Sequence, residues 1–387
     1  MERKFNVILT SPWYPNKDDK FEALFIQRHA KLIASNNNLV VCISKKSEKN
    51  IKKFEINQYT ENNILHFICY YQSCSIPYIK VLINGFRFFK AQYKSIKLGK
   101  KYLQKIDFFH VNVLTRASII PFCYNFFYGI PYFISEQATR YSRSDVYKGV
   151  IRKLITKIIL KNALGLSVIS NYLKNTMINV GLVHQNTMII PNCVDCNMFK
   201  YKVMNKTGKR FLHVSRMEQK AKNVFGIINS FCVVQNEYPD VELHMVGDGP
   251  EKSIVENYVN INDIKNVWFY GDLEGDDLIY QYQIADLFIL FSNYETQAVV
   301  ACEALSCGLP VISTRIPAVE EYLNQGNSRL INMGDESGLT KCLLQFLEKQ
   351  ISFCSPEIIQ NEAHLRFREE LITKKFNEFY HKGLDAK

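Results

Sequence analysis

The chain has 387 residues, of which 47% are hydrophobic and 22% charged. This ordinary globular composition supplies enough apolar material for two or three domains and excludes collagen-like, coiled-coil and low-complexity classes. Eleven cysteines stand without the regular spacing of a disulfide framework, and the single Cys193-x-x-Cys196 has no second pair to complete a zinc site. A reduced, cytosolic protein is the expectation.

Short apolar runs alternate with helical patterns through the first half of the chain. Helical periodicity covers residues 22–34 and 78–104. The chain start lacks the long apolar core of a signal peptide. The predicted strands are FNVILT (5–10), NLVVCIS (38–44), DFFHVNV (107–113), IPYFIS (130–135), ALGLSVIS (163–170) and NTMIIPN (186–192).

The longest uncharged run lies between Arg116 and Glu136 and has the length of a membrane span. It is interrupted by Pro121, Gly129 and Pro131, which break helices. The run therefore predicts a helix, a turn and a buried strand.

A polar stretch rich in turn formers, residues 193–209, predicts a linker. Beyond it the alternation resumes, with helices expected at 222–237 and 297–307. The predicted strands are RFLHVS (210–215), VELHMVG (241–247), NVWFYG (266–271), ADLFILF (285–291) and LPVIST (309–314). Two such arrays predict an α/β protein of two doubly wound, Rossmann-like domains facing each other across a cleft.

Charge is distributed unevenly along the sequence. The net charge is +11, with about +18 on residues 1–200 and about −7 on residues 201–387. Between Glu61 and Asp107 there is no acid, and lysines alternate with aromatic residues. A second basic stretch, 148–161, has apolar residues near one helical face. Both stretches are consistent with solvated core helices, with a surface that rests on anionic lipid, or with nucleic acid, for which no binding motif is present.

The stretch SNYETQAVVACEALSCGLPVIST (292–314) carries the first site candidates. A helix is expected to begin near Thr296 or Gln297 and to end at Gly308. The backbone N–H groups of Gln297, Ala298 and Val299 would then be free at its start, which is a binding site for phosphate.

Glu303 lies about two turns further along, in an otherwise apolar run. A carboxylate there can accept two hydrogen bonds from the hydroxyls of a ribose. From spacing alone, it can equally be an exposed residue at the edge of the helix.

The second group of candidates lies earlier, where Arg216 follows a strand and Lys222 is expected to open a helix. Two cations placed beside the phosphate-binding helix would neutralise a diphosphate, although each alone is consistent with a surface charge. The VGDGPE turn (246–251) adds Gly247 at a strand end, a common feature of little weight by itself.

The ordered set SRMEQKAKN, MVGDGP, YQYQIADLFILFS and EALSCGLPVIST, with Glu295 and Glu303 separated by seven residues, closely resembles the carboxyl-terminal domain of glycosyltransferase family 4. In the first half, SPWYPNKDDKFEALFIQRHA, ISEQATRY and IIPNCVDCNMF resemble further landmarks of the family, and RFREELITKKFNEFY (366–380) resembles its final helix. The resemblance covers nearly the whole chain and implies a GT-B fold.

The resemblance implies three parts: residues 1–200 as the acceptor-side domain, 201–365 as the nucleotide-sugar domain, and 366–387 as a helix that crosses back. It also implies retaining, metal-independent transfer of a sugar from a nucleotide-diphosphate sugar, with no other cofactor. Arg216 and Lys222 would bind the diphosphate as a leaving group. Glu303 would bind the ribose. Glu295, Gly247 and the backbone of residues 296–299 would contact the donor.

Several positions depart from the family pattern. Gln297-Ala298 stands where an aromatic residue and a glycine are common, and Gln137, after Glu136, stands where a histidine is common. Gln137 cannot titrate, so no general-base role is carried over to it. Glu136 and Gln137 are the acceptor-side candidates.

The sequence as a whole predicts a cytoplasmic enzyme bound peripherally to the inner face of a bacterial cell membrane. It would add a hexose-type sugar to a lipid-linked saccharide during assembly of a surface polysaccharide such as capsule, O-antigen or lipopolysaccharide. Two alternatives stay open: a catalytically silent GT-B protein that binds nucleotide sugar or a partner, and a related enzyme such as an epimerase or polysaccharide synthase.

Overall fold

The structure is a computed structural model that describes residues 4–47, 49, 51–114, 116–142, 147, 149–206 and 208–386. The chain forms two compact units. Unit 1 consists of Met1–Cys193 together with Ile372–Lys387, and unit 2 of Val194–Leu371. Each unit is built around its own sheet.

Unit 1 contains an eight-stranded sheet in the order β3-β4-β2-β1-β5-β6-β7-β8. Its neighbouring strands are parallel, except for the antiparallel hairpin of β3 and β4 at one edge. The strands are β1 (Asn6–Thr10), β2 (Asn38–Ser47), β3 (Phe54–Glu61), β4 (Ile64–Gln72), β5 (Phe108–Asn112), β6 (Tyr132–Glu136), β7 (Gly165–Val168) and β8 (Thr187–Ile189).

Alternate residues of the central strand enter two separate cores, one on each face of this sheet. Val7 and Leu9 of β1 belong to one buried cluster, and Ile8 belongs to another. Such burial on both faces is typical of a parallel sheet covered by helices. The helices are α1 (Leu24–Asn36), α2 (Lys80–Leu103), α3 (Ile119–Tyr128), α4 (Val150–Lys161) and α5 (Asn171–Asn179).

Unit 2 contains a six-stranded, parallel sheet in the order β11-β10-β9-β12-β13-β14. Its strands are β9 (Arg210–Val214), β10 (Glu242–Val246), β11 (Val267–Gly271), β12 (Leu287–Leu290), β13 (Val311–Thr314) and β14 (Ser328–Ile331). Its helices are α6 (Gln219–Lys222), α7 (Val224–Glu237), α8 (Lys252–Ile261), α9 (Gly275–Ile284), α10 (Val299–Ser306), α11 (Pro317–Glu320), α12 (Glu336–Leu347) and α13 (Pro356–Phe367).

The last helix, α14 (Glu369–Asp385), returns the chain to unit 1. Phe376, Phe379 and Tyr380 are buried in the same core cluster as Val7 and Leu9. The Tyr380 hydroxyl and Nδ1 of His110 form a hydrogen bond of 2.8 Å. The end of the chain is therefore an integral part of the first unit's core.

The α/β fold of two Rossmann-like units is confirmed, and each strand predicted from the sequence is present. The uncharged run between Arg116 and Glu136 forms a 3₁₀ turn, α3, a left-handed Gly129 and β6, as expected. The sequence reading omitted the β3–β4 hairpin and β14. In the described part of the chain, no helix combines the length and apolarity needed to cross a membrane.

Two helix starts differ from the prediction. Lys222 does not open the helix at 222–237: it ends the single turn of α6, and Asn223 in left-handed conformation (φ 48°) separates it from α7. The helix expected near residue 296 begins at Val299, because Ala298 also has a left-handed backbone (φ 59°). A left-handed residue cannot belong to a right-handed helix, so each shifts the start.

Candidate active site

The loops after β9 and β12 meet in unit 2. These strands are neighbours in the sheet, although they are far apart in the chain, and the strand order changes direction between them. Ligands of open α/β sheets bind at such a point, outside the carboxyl ends of the strands. Asn293, after β12, donates from its backbone to the carbonyl of Ala221 at 2.8 Å and from its side chain to the carbonyl of Lys220 at 3.1 Å.

Lys222 and Glu295 form an ion pair between these two loops. The Lys222 Nζ lies 2.5 Å from Glu295 Oε1, and their side chains are 19% and 11% exposed. The Ser292 hydroxyl donates to the same oxygen at 2.8 Å. Two of the predicted site residues, 73 positions apart, are therefore in direct contact.

Arg216 is exposed on the loop after β9. The VGDGP turn after β10 packs against this loop. The backbone of Met217 donates to the carbonyl of Asp248 at 2.8 Å. Gly247 has φ 119°, and a Cβ built on it would lie 1.9 Å from the carbonyl oxygen of Ser215. Gly247 is therefore needed for close approach between two backbones, and its direct neighbour is the loop that carries Arg216.

The buried His213 supports the same loop from below. Its Nδ1 lies 2.9 Å from the carbonyl oxygen of Ile289, so Nδ1 carries the proton and Nε2 accepts from the Ser215 hydroxyl at 2.7 Å. Burial lowers the pKa of His213 to about 4, against a partial opposing effect of the Ile289 carbonyl. The ring is neutral near pH 7 and positions Ser215, one residue before Arg216.

Buried side chains bind the segment that precedes α10. The Tyr322 hydroxyl donates to the carbonyl of Gln297, and the Gln297 side chain is directed inwards, with Nε2 3.7 Å from Cys302 Sγ. Thr296 is half-buried, whereas Ala298 is buried. In the first turn of α10, Ala301 and Cys302 donate to the carbonyl of Ala298 at 3.0 and 3.3 Å. The N–H groups of Val299 and Val300 precede these bonds, as at the start of any helix. The end of α10 is as expected, with left-handed Gly308 and backbone bonds that close its last turn.

Glu303 is buried, with 3% of its surface exposed. The exposed-edge alternative is thus wrong. The Tyr282 hydroxyl donates to Glu303 Oε2 at 3.0 Å, which provides a partner for a carboxylate in apolar surroundings. Tyr282 comes from α9, and its ring centre lies 5.9 Å from that of Phe288 in β12. It belongs to the YQYQIADLFILFS motif, but nothing in the sequence pairs it with Glu303.

In unit 1, Glu136 binds surrounding donors with both carboxylate oxygens. Oε1 accepts from the backbone of Gln137 at 2.8 Å and of Ala138 at 2.9 Å. Oε2 accepts from the backbone of Leu114 at 2.9 Å and from the Tyr141 hydroxyl at 2.8 Å. Fully buried and with four donors, Glu136 ties together the loops that follow β5 and β6.

Gln137 belongs to a buried polar cluster at the carboxyl ends of β1, β5 and β6. His29 Nε2 donates to the Pro191 carbonyl at 3.3 Å, so its Nδ1 accepts from Gln137 Nε2 at 3.2 Å. Among the described residues, three buried atoms of this region lack a hydrogen-bond partner: Gln137 Oε1, Asn112 Nδ2 and Thr10 Oγ1. They are available to a polar ligand or to water.

A match to a family model covers the candidate site in unit 2. Residues 208–349 match the family model described as "Glycosyl transferases group 1". The resemblance to a glycosyltransferase is therefore confirmed for this domain. This group 1 domain contains Arg216, Lys222, Glu295 and Glu303, and the four residues lie within one continuous match.

Two curated proteins are similar to part of this chain. N-acetyl-alpha-D-glucosaminyl L-malate synthase from Bacillus anthracis is 28% identical over 181 residues, which are 46% of this chain and 46% of that protein. Alpha-monoglucosyldiacylglycerol synthase from Acholeplasma laidlawii is 27% identical over 170 residues, 43% of this chain and 40% of the relative. The matches thus span less than half the length of these relatives.

A solved structure resembles the fold of nearly the whole chain. Anabaena Alr3699/HepE in complex with UDP has a TM-score of 0.73 and 15% identity, and the match covers 97% of this chain and 99% of that one. At this identity, the likeness shows the GT-B fold.

Proposed function

We propose that the protein is a retaining glycosyltransferase that takes a sugar from a nucleotide-diphosphate sugar without a metal ion. The observation that carries the proposal is the contact between Lys222 and Glu295 at the switch point of unit 2. Arg216 lies in the same segment after β9 as Lys222, and Glu303 lies on the helix that follows Glu295. Positioned cations stabilise the negative charge that develops on a diphosphate as it leaves. The UDP complex of Alr3699/HepE is consistent with this kind of donor.

Glu303 is assigned the ribose hydroxyls of the donor. Its Oε2 accepts from Tyr282, which leaves the carboxylate with further lone pairs for hydroxyl donors. The fixed direction imposed by Tyr282 suits recognition of a vicinal diol, because a carboxylate with two oxygens accepts from two adjacent hydroxyls.

Calorimetric titration with UDP, GDP and ADP tests the donor site. We expect one nucleotide to bind the wild type and Glu303→Gln to weaken it at least about tenfold, since hydrogen bonds to a charged group contribute about 1.5–3 kcal/mol. Gln keeps an acceptor for Tyr282, so the fold is preserved. Glu348→Gln, an exposed site on the same unit, is the matched control.

Two outcomes would contradict the proposal. Absence of nucleotide binding at millimolar concentration would remove the donor site. Nucleotide binding with no sugar transfer to lipid-linked acceptors would instead favour a silent GT-B protein. Full activity in the presence of EDTA is the expected result for metal independence.

The proposed acceptor is a lipid-linked saccharide at the inner membrane face, in assembly of a surface polysaccharide. The relative from Acholeplasma laidlawii is named for a glucosyldiacylglycerol product, which is consistent with a lipid acceptor. In unit 1, large apolar side chains are exposed at the start of α2 and on α4, where Leu82 and Ile151 are each 75% exposed. Lysines on α2, including Lys90 and Lys97, flank them. Such surfaces bind anionic bilayers.

Charge reversal tests the membrane association. The triple change of Lys90, Lys94 and Lys97 to Glu should weaken binding to vesicles of anionic lipid about a hundredfold or more, since each lysine near the surface contributes about 1 kcal/mol. Sedimentation with vesicles measures the change. Reversal of three exposed lysines of unit 2, Lys202, Lys341 and Lys349, is the control. Unchanged sedimentation of the first variant would exclude this surface.

A further inference from the structure

A cavity of about 880 Å³ lies in unit 1, between the loops after β1, β5 and β6 and the inner side of α4. Its volume is that of a small-molecule site. Most of its wall is apolar, formed by Trp13, Leu114, Ile119, Ile151, Ile155 and Ile159. None of the donor-site residues lines it, because those residues belong to unit 2.

Three arginines enter this apolar wall from three different elements: Arg116 after β5, Arg140 after β6 and Arg152 in the first turn of α4. None of the described lining residues is acidic. Three guanidinium groups around one cavity repel each other, and that arrangement favours an occupant with several negative charges.

Aromatic rings hold each guanidinium in place. Arg116 lies 4.1 Å from the ring centre of Phe88, and Arg140 lies 5.8 Å from that of Trp13. Arg152 lies 5.5 Å from the ring centre of Tyr147. A guanidinium in such a cation–π contact keeps its N–H donors in its own plane, where they can bind phosphate oxygens in pairs.

The apolar wall continues outwards onto an exposed surface. Ile151 and Ile155 line the cavity, yet they are 75% and 44% exposed. Leu154 and Ile158, on the same helix, are also exposed. An occupant that places its charged end against the arginines can therefore extend an apolar chain along α4 towards the surface that we propose contacts the membrane.

We infer that this cavity binds the phosphate-bearing end of a lipid, with a phosphate or diphosphate against the three arginines and the first segment of the hydrocarbon chain against the isoleucines. The inference rests on the proposed function, since it specifies how the lipid of the acceptor is recognised. Tight binding requires both the negative charge and the apolar chain of the ligand. A free anion or a neutral lipid should therefore bind weakly.

The two tryptophans of the chain provide a direct assay. Trp13 lines the cavity, whereas Trp268 lies in unit 2, so Trp268→Phe leaves Trp13 as the only indole. In this background, soluble farnesyl diphosphate below its micelle concentration should change the fluorescence and saturate. Farnesol and inorganic diphosphate should each bind at least about tenfold more weakly, a difference of about 1.4 kcal/mol.

Variants then separate the two parts of the cavity. Arg140→Gln and Arg116→Gln should each weaken farnesyl diphosphate at least about tenfold, since charge-assisted hydrogen bonds are lost. Ile155→Ser, at a partly exposed position, should weaken farnesyl diphosphate and leave inorganic diphosphate unchanged. Lys153→Gln is the matched control, because it removes a charge from α4 next to Arg152 without lining the cavity.

Three results would overturn the inference. The first is the absence of saturable binding of farnesyl diphosphate. The second is equal affinity for inorganic diphosphate, which would indicate a site for free anions. The third is a set of arginine variants that lose vesicle binding but keep farnesyl diphosphate binding, which would indicate a role at the membrane surface only. Nucleotide calorimetry on the same proteins separates the two proposals. Absence of a lipid signal in the Trp268→Phe protein, with its nucleotide binding intact, contradicts this inference alone. A lipid signal without nucleotide binding contradicts the donor site alone.

Discussion

At the scale of single residues, the contact between Lys222 and Glu295 bears on the proposed diphosphate site. Lys222 is already neutralised by a carboxylate 2.5 Å away, and Ser292 fixes that carboxylate. A bound diphosphate must therefore share the ammonium with Glu295 or replace it. The pair holds the lysine side chain in one direction before the donor arrives, which reduces the entropy lost on binding.

This pairing predicts strong coupling between the two side chains. Lys222→Met should weaken nucleotide binding and lower turnover about a hundredfold, since it removes a positioned cation and leaves Glu295 beside the phosphates. Glu295→Gln should cost less. The double variant should lose less than the sum of the single losses, because the repulsive carboxylate is gone as well. Calorimetry and initial rates on the four proteins measure the cycle, and strict additivity would contradict a functional pair.

At the scale of elements, the glycine turn after β10 determines where the Arg216 loop lies. In Gly247→Ala, the added methyl group clashes with the carbonyl oxygen of Ser215, so Ser215 and its neighbours must move. The free energy of unfolding should therefore fall by at least about 3 kcal/mol, which is beyond the range of ordinary substitutions. Gly334→Ala is the matched control in the same unit. Its φ is 70° and no atom lies within 4 Å of an added Cβ, so only the left-handed strain of about 1–2 kcal/mol applies.

Chemical denaturation and nucleotide titration distinguish these two variants. Gly247→Ala should also weaken the nucleotide, because Arg216 moves with its loop, while Gly334→Ala should bind normally. Equal losses of stability, or normal nucleotide binding by a destabilised Gly247→Ala protein, would show that the turn does not position Arg216.

The elements also show how far the sequence could be read. Strands with long apolar runs were predicted because burial on both faces requires them, and Gly308 marked the end of α10 correctly. The starts of α7 and α10 were wrong, since Asn223 and Ala298 adopt left-handed conformations. Asparagine accepts this conformation more readily than most residues, but its presence alone does not predict it. Alanine in particular gives no such signal, as it rarely accepts a positive φ.

The charged residues of the candidate site were named from the sequence, whereas their partners were not. Arg216, Lys222, Glu295 and Glu303 follow from motifs, whereas Tyr282 is 21 residues from the carboxylate that it binds. β3 consists of exposed and half-buried residues and lacks the apolar run on which the other strands were recognised. β4, in contrast, is a buried apolar run (ILHFICYYQ) that the sequence reading omitted. Side-chain partners of this kind depend on packing between helices that sequence spacing does not specify.

At the scale of the whole molecule, buried histidines make stability depend on pH. Burial lowers the pKa of His29, His66 and His213 to about 4 and that of His110 to about 3, with His29 as a second cause for His110. Their ordinary value is 6.5. Burial also lowers the pKa of His244 in unit 2. Three of these groups belong to unit 1 and two to unit 2.

The sign of the effect follows from the direction of these shifts. Between pH 6.5 and pH 4 the unfolded chain binds protons at these histidines and the folded chain does not, so stability falls as the pH is lowered. From pH 7 to pH 6, each histidine with a pKa near 4 costs about 0.7 kcal/mol, so the three in unit 1 together cost about 2 kcal/mol. Urea unfolding should therefore shift to lower midpoints, with the larger shift in unit 1.

The placement of the tryptophans allows this to be measured unit by unit. Trp268→Phe reports unfolding of unit 1 through Trp13, and Trp13→Phe reports unit 2 through Trp268. His29→Gln provides the control, because glutamine can still donate to Pro191 and accept from Gln137 but does not titrate. It should reduce the pH dependence of the Trp13 transition by about one third, since one of three titrating groups is removed. An unchanged pH dependence in this variant would mean that His29 is not neutral in the folded protein, and the hydrogen bond that orients Gln137 would then have the opposite donor.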